Sequence, residues 1–159
     1  MVIDTKCFGT VDIGEDKVIT FESGLMGFEQ YKRYTILYDN TDGNRSTISW
    51  LQSMDEPALA LPIISPYHIK PDYNPTVEGE ILDSLGELND ENTVVFVTLT
   101  VPGDIKKMTA NLRAPIIINA DTTKACQIIV ENTEYPIKFN VYDAVQSLKT
   151  KKADKEEGQ

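Results

Sequence analysis

Apolar and polar positions alternate along this chain in short runs, and turn-forming residues separate the runs at fairly even intervals. Val, Ile, Thr, Tyr and Phe fill the runs, which is the composition of β-strands. Residues 2–8 form the first run, ended by Gly9. Residues 11–13 and 17–21 follow, and Gly14-Glu15-Asp16 between them suits a hairpin link. Gly24 and Gly27 then bracket Leu25-Met26, which predicts a tight turn with Leu25 and Phe28 anchoring it to the core. Strands are expected over 34–38 and 46–52, joined by a polar turn over 39–44.

Residues 58–65 continue the pattern after Pro57, but Pro62 cannot donate to a ladder, so an edge strand or a bulge is expected there. Pro66, Pro71 and Pro75 make 66–75 an ordered loop of little regularity. Leu82, Leu85 and Leu88, three apart, suggest a short helix over 81–88, weakened by Gly86. Residues 92–101 are the clearest strand, closed by Pro102-Gly103-Asp104. One helical turn at 108–112 leads into a strand over 114–119, and Asp121-Thr-Thr-Lys124 turns the chain into a partner strand over 125–131. Val141, Val145 and Leu148 share one helical face, so a short amphipathic helix over 141–150 is expected to close the fold. This spacing predicts an all-β fold, mainly antiparallel and barrel-like or a sandwich, with one or two short helices. A single domain over 1–148 and a charged, flexible tail over 149–159 complete the expectation.

The 159 residues can bury a core of their own, and a 41% hydrophobic share agrees with folding. The apolar runs are too short to span a bilayer, and Met1-Val-Ile-Asp-Thr-Lys lacks the basic start and apolar stretch of a secretory leader. The cytoplasm is the compartment expected. Cys7 and Cys126 sit in strand-like runs, where they read as free structural thiols in a reducing compartment. Charge changes the picture more. Fifteen basic against 25 acidic residues gives −10. That surface repels phosphate backbones and anionic membranes, so neither direct nucleic-acid nor membrane binding is expected, whereas a basic protein partner would be drawn in faster.

Little chemistry is visible. The lone His68 has no nucleophile beside it, no G-x-S-x-G elbow or phosphate loop exists, and Gly24-Leu-Met-Gly27 is a turn. No catalytic residue, metal or cofactor is assigned. Carboxylates do cluster: Asp55-Glu56 before Pro57, and Asp83, Glu87, Asp90 and Glu91 around the expected helix. A carboxylate-dependent hydrolase is therefore one alternative, and a purely structural, oligomerising β domain is another. Trp50 is expected in the core. Tyr67 and Tyr73, in the proline-rich loop, are candidate contact residues because Tyr is enriched at interfaces.

Several segments occur together in one order: Phe21-x-x-Gly-Leu-x-Gly-Phe-Glu29, Trp50-Leu-Gln-Ser53, Pro71-Asp-Tyr73 and Met108-Thr-Ala-Asn-Leu-x-Ala-Pro-Ile-x-Ile-Asn119, followed by the strand of Gln127. With these distances the chain resembles the FliW family of flagellar assembly factors. Met26 stands where the family usually has proline. The resemblance implies a non-enzymatic, chaperone-like protein that binds two partners, flagellin and the basic RNA-binding dimer CsrA. Bound to CsrA, such a protein is a non-competitive antagonist that relieves repression of flagellin translation. For the contact surface, Asp72 and Tyr73 match a family motif, and Asp55, Glu56 and Glu78 are candidates to extend one acidic surface with them. Asn111, Ala114, Pro115 and Asn119 are expected to set turns.

Overall fold

A computed structural model describes residues 2–6, 8–38, 48–75, 82–132 and 134–144. Eleven strands run through them: β1 (Val2–Asp4), β2 (Thr10–Asp12), β3 (Ile19–Phe21), β4 (Arg33–Tyr38), β5 (Ser49–Ser53), β6 (Ala60–Ile64), β7 (Thr93–Thr100), β8 (Thr109–Ala110), β9 (Ile116–Asn119), β10 (Lys124–Gln127) and β11 (Phe139–Asn140). One short helix, α1 (Pro66–Ile69), and 3-10 turns at Glu15–Lys17, Asp83–Leu85 and Ile105–Lys107 join them, and residues 142–144 are helical.

Seven strands close on themselves. Pairing runs β7-β6-β5-β4-β3-β10-β9, and β9 returns to β7 through Thr93↔Asn119 to Phe96↔Ile116. Every ladder in this ring is antiparallel except β3–β10. Closure removes the free sheet edges that an open sheet would leave. The fold is therefore all-β and barrel-like, as the sequence pattern predicts.

Side chains two apart on each strand face the same way. Ile19 and Phe21, Tyr34 and Ile36, Leu51, Leu61 and Ile63, Val94 and Phe96, Ile116 and Ile118, and Ala125 meet in one internal cluster. The alternate positions of β7 and β9 point outward and are covered as well. Val95, Ile117, Cys126 and Ile128 take Leu82, Leu85 and Leu88. Val97 and Leu99 take Ile69, Tyr73, Leu112, Tyr135 and Val141. Contacts on both faces explain why 94–97 and 116–118 are continuous apolar runs instead of strict alternations.

Several local expectations are corrected. Residues 11–13 and 17–21 form no hairpin: β2 pairs with β1, while β3 joins the barrel between β4 and β10. Glu15–Lys17 forms a 3-10 turn that redirects the chain from one sheet to the other. Pro62 lies on an interior strand, opposite Trp50; it is accommodated because the registered pairing of β6 with β7 begins only at Ile63. The proline-rich loop contains α1, started by Pro66 at its first position, where a missing N–H costs nothing. Of the helix expected over 81–88, Leu82 is helical and Asp83–Leu85 forms a 3-10 turn ended by Gly86 at φ 87°, while Ile81 lies outside the described residues. In place of a helical turn at 108–112, Thr109–Ala110 pairs with β7 and Asn111 makes an Asx turn, its Oδ1 accepting from the N–H groups of Arg113 and Ala114, each at 3.1 Å. Trp50 is half-buried and belongs to none of the buried clusters, whereas its neighbour Gln52 is fully buried. Cys7, Glu78, most of 141–150 and the tail 149–159 lie outside the described residues.

Candidate functional site

The proline-rich segment after β6 is built from the inside out. Tyr73 is only 3% exposed, and its hydroxyl donates to the Leu112 carbonyl at 2.6 Å. Its ring lies 4.7 Å from that of Tyr135, whose hydroxyl accepts from the Asn74 N–H at 2.9 Å. Burial, with Tyr135 and Tyr67 adding to it, pushes the Tyr73 hydroxyl well above the ordinary tyrosine range. The exposed position expected for Tyr73 is thus corrected: the ring is core, because the strands beneath it leave an apolar face for it to cover.

Two neighbours remain at the surface. Tyr67 is 48% exposed and meets Tyr73 edge-on at 6.2 Å. The Asp72 side chain is 80% exposed and pairs with Lys70 at 3.2 Å. An aromatic ring and a carboxylate are therefore held on a rigid, buried tyrosine base.

Asp55 and Glu56 occupy the turn between β5 and β6. The Ser53 hydroxyl accepts from both of their N–H groups, at 3.1 and 3.0 Å, and Glu56 in turn accepts from the Ala58 N–H at 3.2 Å. Arg33 on β4 pairs with the Asp55 carboxylate, and that hydrogen bond and charge raise the guanidinium pKa further. This turn lies at one end of β6, and α1 with Asp72 follows the other. Five strand residues separate the two groups in the fold, about 17 Å at the usual rise. Asp72 thus lies beyond one end of β6 and Asp55 with Glu56 before the other, while Glu78 falls outside the described residues.

Gln52, within the Trp50-Leu-Gln-Ser53 segment, carries structural weight that its polar place in a strand does not signal. Its amide donates to the carbonyls of Ser53, Pro57 and Leu59 at 3.0–3.2 Å, and its Oε1 accepts from the Lys6 N–H at 3.0 Å. It ties the β1–β2 sheet to the barrel and fixes the Asp55 turn. Gly24 and Gly27, at φ 70° and 90°, shape the turn that presents Met26, 44% exposed. The Met26 N–H donates to Gln127 Oε1 at 3.0 Å, and Gln127 reaches the Ala114 carbonyl at 3.1 Å. Hydrogen bonds from its own N–H and from that of Gly27 hold the Glu29 carboxyl below its usual range.

A cavity of about 530 Å³ is lined by Ile19, Ile36, Val94, Phe96 and Ile118 together with Asp12, Asp16 and Lys17. The sequence cannot announce it, since it exists only once β7 and β9 have closed the ring. Among the described residues no group of three or more His, Cys, Asp or Glu side chains could hold a metal ion, and no helix is long and apolar enough to cross a membrane. Cys126 is half-buried, and burial pushes its thiol pKa up.

A family model described as FliW protein matches residues 2–141. The chain belongs to the FliW family. It is 54% identical over 159 residues to the flagellar assembly factor FliW of Lachnoclostridium phytofermentans, covering 100% of this chain and 99% of that one. The FliW of Lachnospira eligens is 46% identical over 147 residues, covering 92% and 97%. A crystal structure of the flagellar assembly factor FliW superposes with a TM-score of 0.81 at 32% identity, covering 89% of this chain and 96% of that one. The FliW fold is thus the barrel described above. The Asn111–Asn119 stretch behind the family resemblance is its closing seam: Asn119 sits fully buried and is tied to Leu85 and Glu87.

Proposed function

We propose that this FliW-family protein acts in flagellar assembly as a cytoplasmic, non-enzymatic switch between two protein partners, flagellin and the translational regulator CsrA. Bound flagellin keeps it occupied. Once flagellin has left the cell, the freed protein binds CsrA without occupying its RNA site and relieves the repression of flagellin translation. The observation that carries this reading is the end-to-end match to a flagellar assembly factor, 54% identical over all 159 residues.

The physical features support it. A net charge of −10 favours approach to a basic RNA-binding dimer and places negative potential beside any bound CsrA, which weakens phosphate binding. Tyr67 and Asp72, an exposed aromatic and an exposed carboxylate on a buried base, offer a preorganised contact point. Asp55 and Glu56 form a second, separate candidate, with the Asp55 charge largely answered by Arg33.

Calorimetric titration of the full chain with CsrA, repeated after saturation with flagellin, tests the reading. Tight binding to CsrA that flagellin abolishes is the expected result. Binding to flagellin alone would make the protein an export-side chaperone, and binding to neither partner would overturn the switch.

A further inference from the structure

Met26, Met54, Met108 and Cys126 carry the sulfur atoms that lie among the described residues, and their surroundings differ. Met54 is 9% exposed and packs with Ile3 and Ile13. Met108 is 6% exposed, inside the cluster that holds Leu112, Tyr135 and Val141. Cys126 is half-buried against Leu85, Ile117 and Ile128, and burial raises its thiol pKa, which keeps it from the reactive thiolate form. Met26 is the contrast. It is 44% exposed and belongs to none of the buried clusters. A peroxide has to reach the sulfur lone pair to oxidise it, so exposure separates Met26 from the other three.

The turn that presents this side chain does not depend on it. Leu25, 1% exposed, anchors the turn in the barrel, and the Gly24 and Phe28 N–H groups donate to the Phe21 and Leu25 carbonyls at 2.9 and 2.8 Å. Met26 itself is held through its main-chain N–H, on the Gln127 amide that also reaches the Ala114 carbonyl. Beyond Gln127 the ladder continues, since the Ile128 and Val130 N–H groups donate to the Pro115 and Arg113 carbonyls at 3.1 and 2.9 Å. Ile129 therefore stands opposite Ala114, on the face of Gln127, and is 61% exposed. Met26 and Ile129 border one and the same amide at the surface. A sulfoxide at Met26 would make this apolar spot polar without entering the core, whereas one at Met54 or Met108 would place a polar group among buried side chains.

We propose that Met26 is an oxidation site of the folded protein, taking one oxygen atom from a peroxide to become a surface sulfoxide while the barrel keeps its fold. The sulfur lone pair attacks one peroxide oxygen and the O–O bond breaks. The proton of the transferred oxygen passes to the departing hydroxide, which leaves as water. Sulfur loses two electrons and the peroxide gains them. The product is reversible, because methionine sulfoxide reductases return the thioether and an exposed turn lets them reach it. This inference stands apart from the partner switch and needs neither partner.

The test exposes the folded full chain to hydrogen peroxide, quenches samples over time and maps them by mass spectrometry after trypsin. Cleavage at Lys and Arg puts Met26, Met54, Met108 and Cys126 on four separate peptides, so each is read alone. The Met26 peptide is expected to gain about 16 Da, one oxygen atom, at least about tenfold faster than the other three. The singly oxidised chain is expected to melt within about 4 °C of the untreated one. The two methionine sulfoxide reductases, one for each epimer, should together remove the added mass. Met26→Leu keeps the side chain apolar and lacks the sulfur, so the fast uptake should vanish while the slow ones stay. Met54, Met108 or Cys126 taking up oxygen as fast as Met26 overturns the site. A large drop in melting temperature on oxidation of Met26 alone overturns the claim that the fold is kept.

Discussion

The hydroxyl of Tyr73 donates to the main-chain carbonyl of Leu112 across 2.6 Å, with both residues buried. Tyr34, inside the barrel and edge-on to Phe21 at 5.2 Å, is buried as deeply, yet its hydroxyl finds no hydrogen-bond partner among the described residues. The two tyrosines should respond in opposite directions to loss of the hydroxyl. Tyr73→Phe strands a buried carbonyl and is expected to lower stability by about 1–3 kcal/mol. Tyr34→Phe removes an unpaired polar group and is expected to be neutral or stabilising by up to about 1 kcal/mol. Urea denaturation of both variants measures the contrast, and equal losses would contradict it.

Stability should also fall in alkali. Burial, with smaller contributions from Asp55 and Tyr31, pushes Tyr34 from 10.0 up to about 12, and Tyr73 is raised as well. The folded chain then holds protons that the unfolded chain releases above pH 10. The contribution of each group is full below the unfolded value and is lost as pH rises towards the folded one. Denaturation midpoints are expected to hold from pH 8 to the unfolded tyrosine value, about 10, and to drop steeply above it, and Tyr34→Phe should shrink that drop.

Asn119 joins two distant segments through four hydrogen bonds. Its amide donates to the carbonyls of Leu85 and Glu87 at 2.8 and 3.2 Å, and its Oδ1 accepts from the N–H groups of Asp121 and Thr122 at 2.9 and 3.3 Å. Asn119→Ala is expected to cost about 2–4 kcal/mol, because buried backbone groups lose their partners. Hydrogen exchange should quicken first at 83–89 and 121–123. Unchanged protection there would mean that Leu82, Leu85 and Leu88 hold the segment by packing alone.

The glycines at 24 and 27 separate two kinds of constraint. At Gly24 a Cβ would lie 2.6 Å from the Glu29 Cα, with φ at 70°; at Gly27 nothing lies within 4 Å, and only φ 90° is unfavourable. Gly24→Ala should therefore destabilise clearly more than Gly27→Ala, whose cost is limited to backbone strain of about 1–2 kcal/mol. Thermal melts of the pair check the order, and a reversed order would place the turn's backbone elsewhere.

What the sequence made legible follows from range. The runs at 94–97 and 116–119 declare strands because both their faces make apolar contacts, which fills them with β-branched and aromatic residues. The turn residues Gly24, Asn111 and Asn119 are equally local. Barrel closure is not local: the parallel β3–β10 pairing and the β7–β9 return join segments whose registers no short window contains. The burial of Tyr73 is illegible for the same reason. Its burial depends on Leu112, 39 residues on, and on Tyr135, whereas the prolines around it argue for a surface loop. Gln52 looks like the polar member of an alternating strand, and only the position of Lys6 and the Leu59 carbonyl makes it core.

Asp72 offers the sharpest test of the candidate surface. Its side chain is 80% exposed, so its pair with Lys70 is screened by solvent and reversing its charge should leave stability nearly unchanged. If this face meets CsrA, Asp72→Lys removes attraction that acts before contact, and association should slow by several-fold at about 0.01 M salt, where the Debye length is near 30 Å. At about 1 M salt, with screening within 3 Å, the two rates should converge. Asp55→Lys is the comparison, since that carboxylate lies at the far end of β6 and already faces Arg33. A smaller effect there, measured by stopped-flow association, would place the approach face at Tyr67 and Asp72. Equal rates for Asp72→Lys and the unaltered chain at low salt would remove Asp72 from the interface.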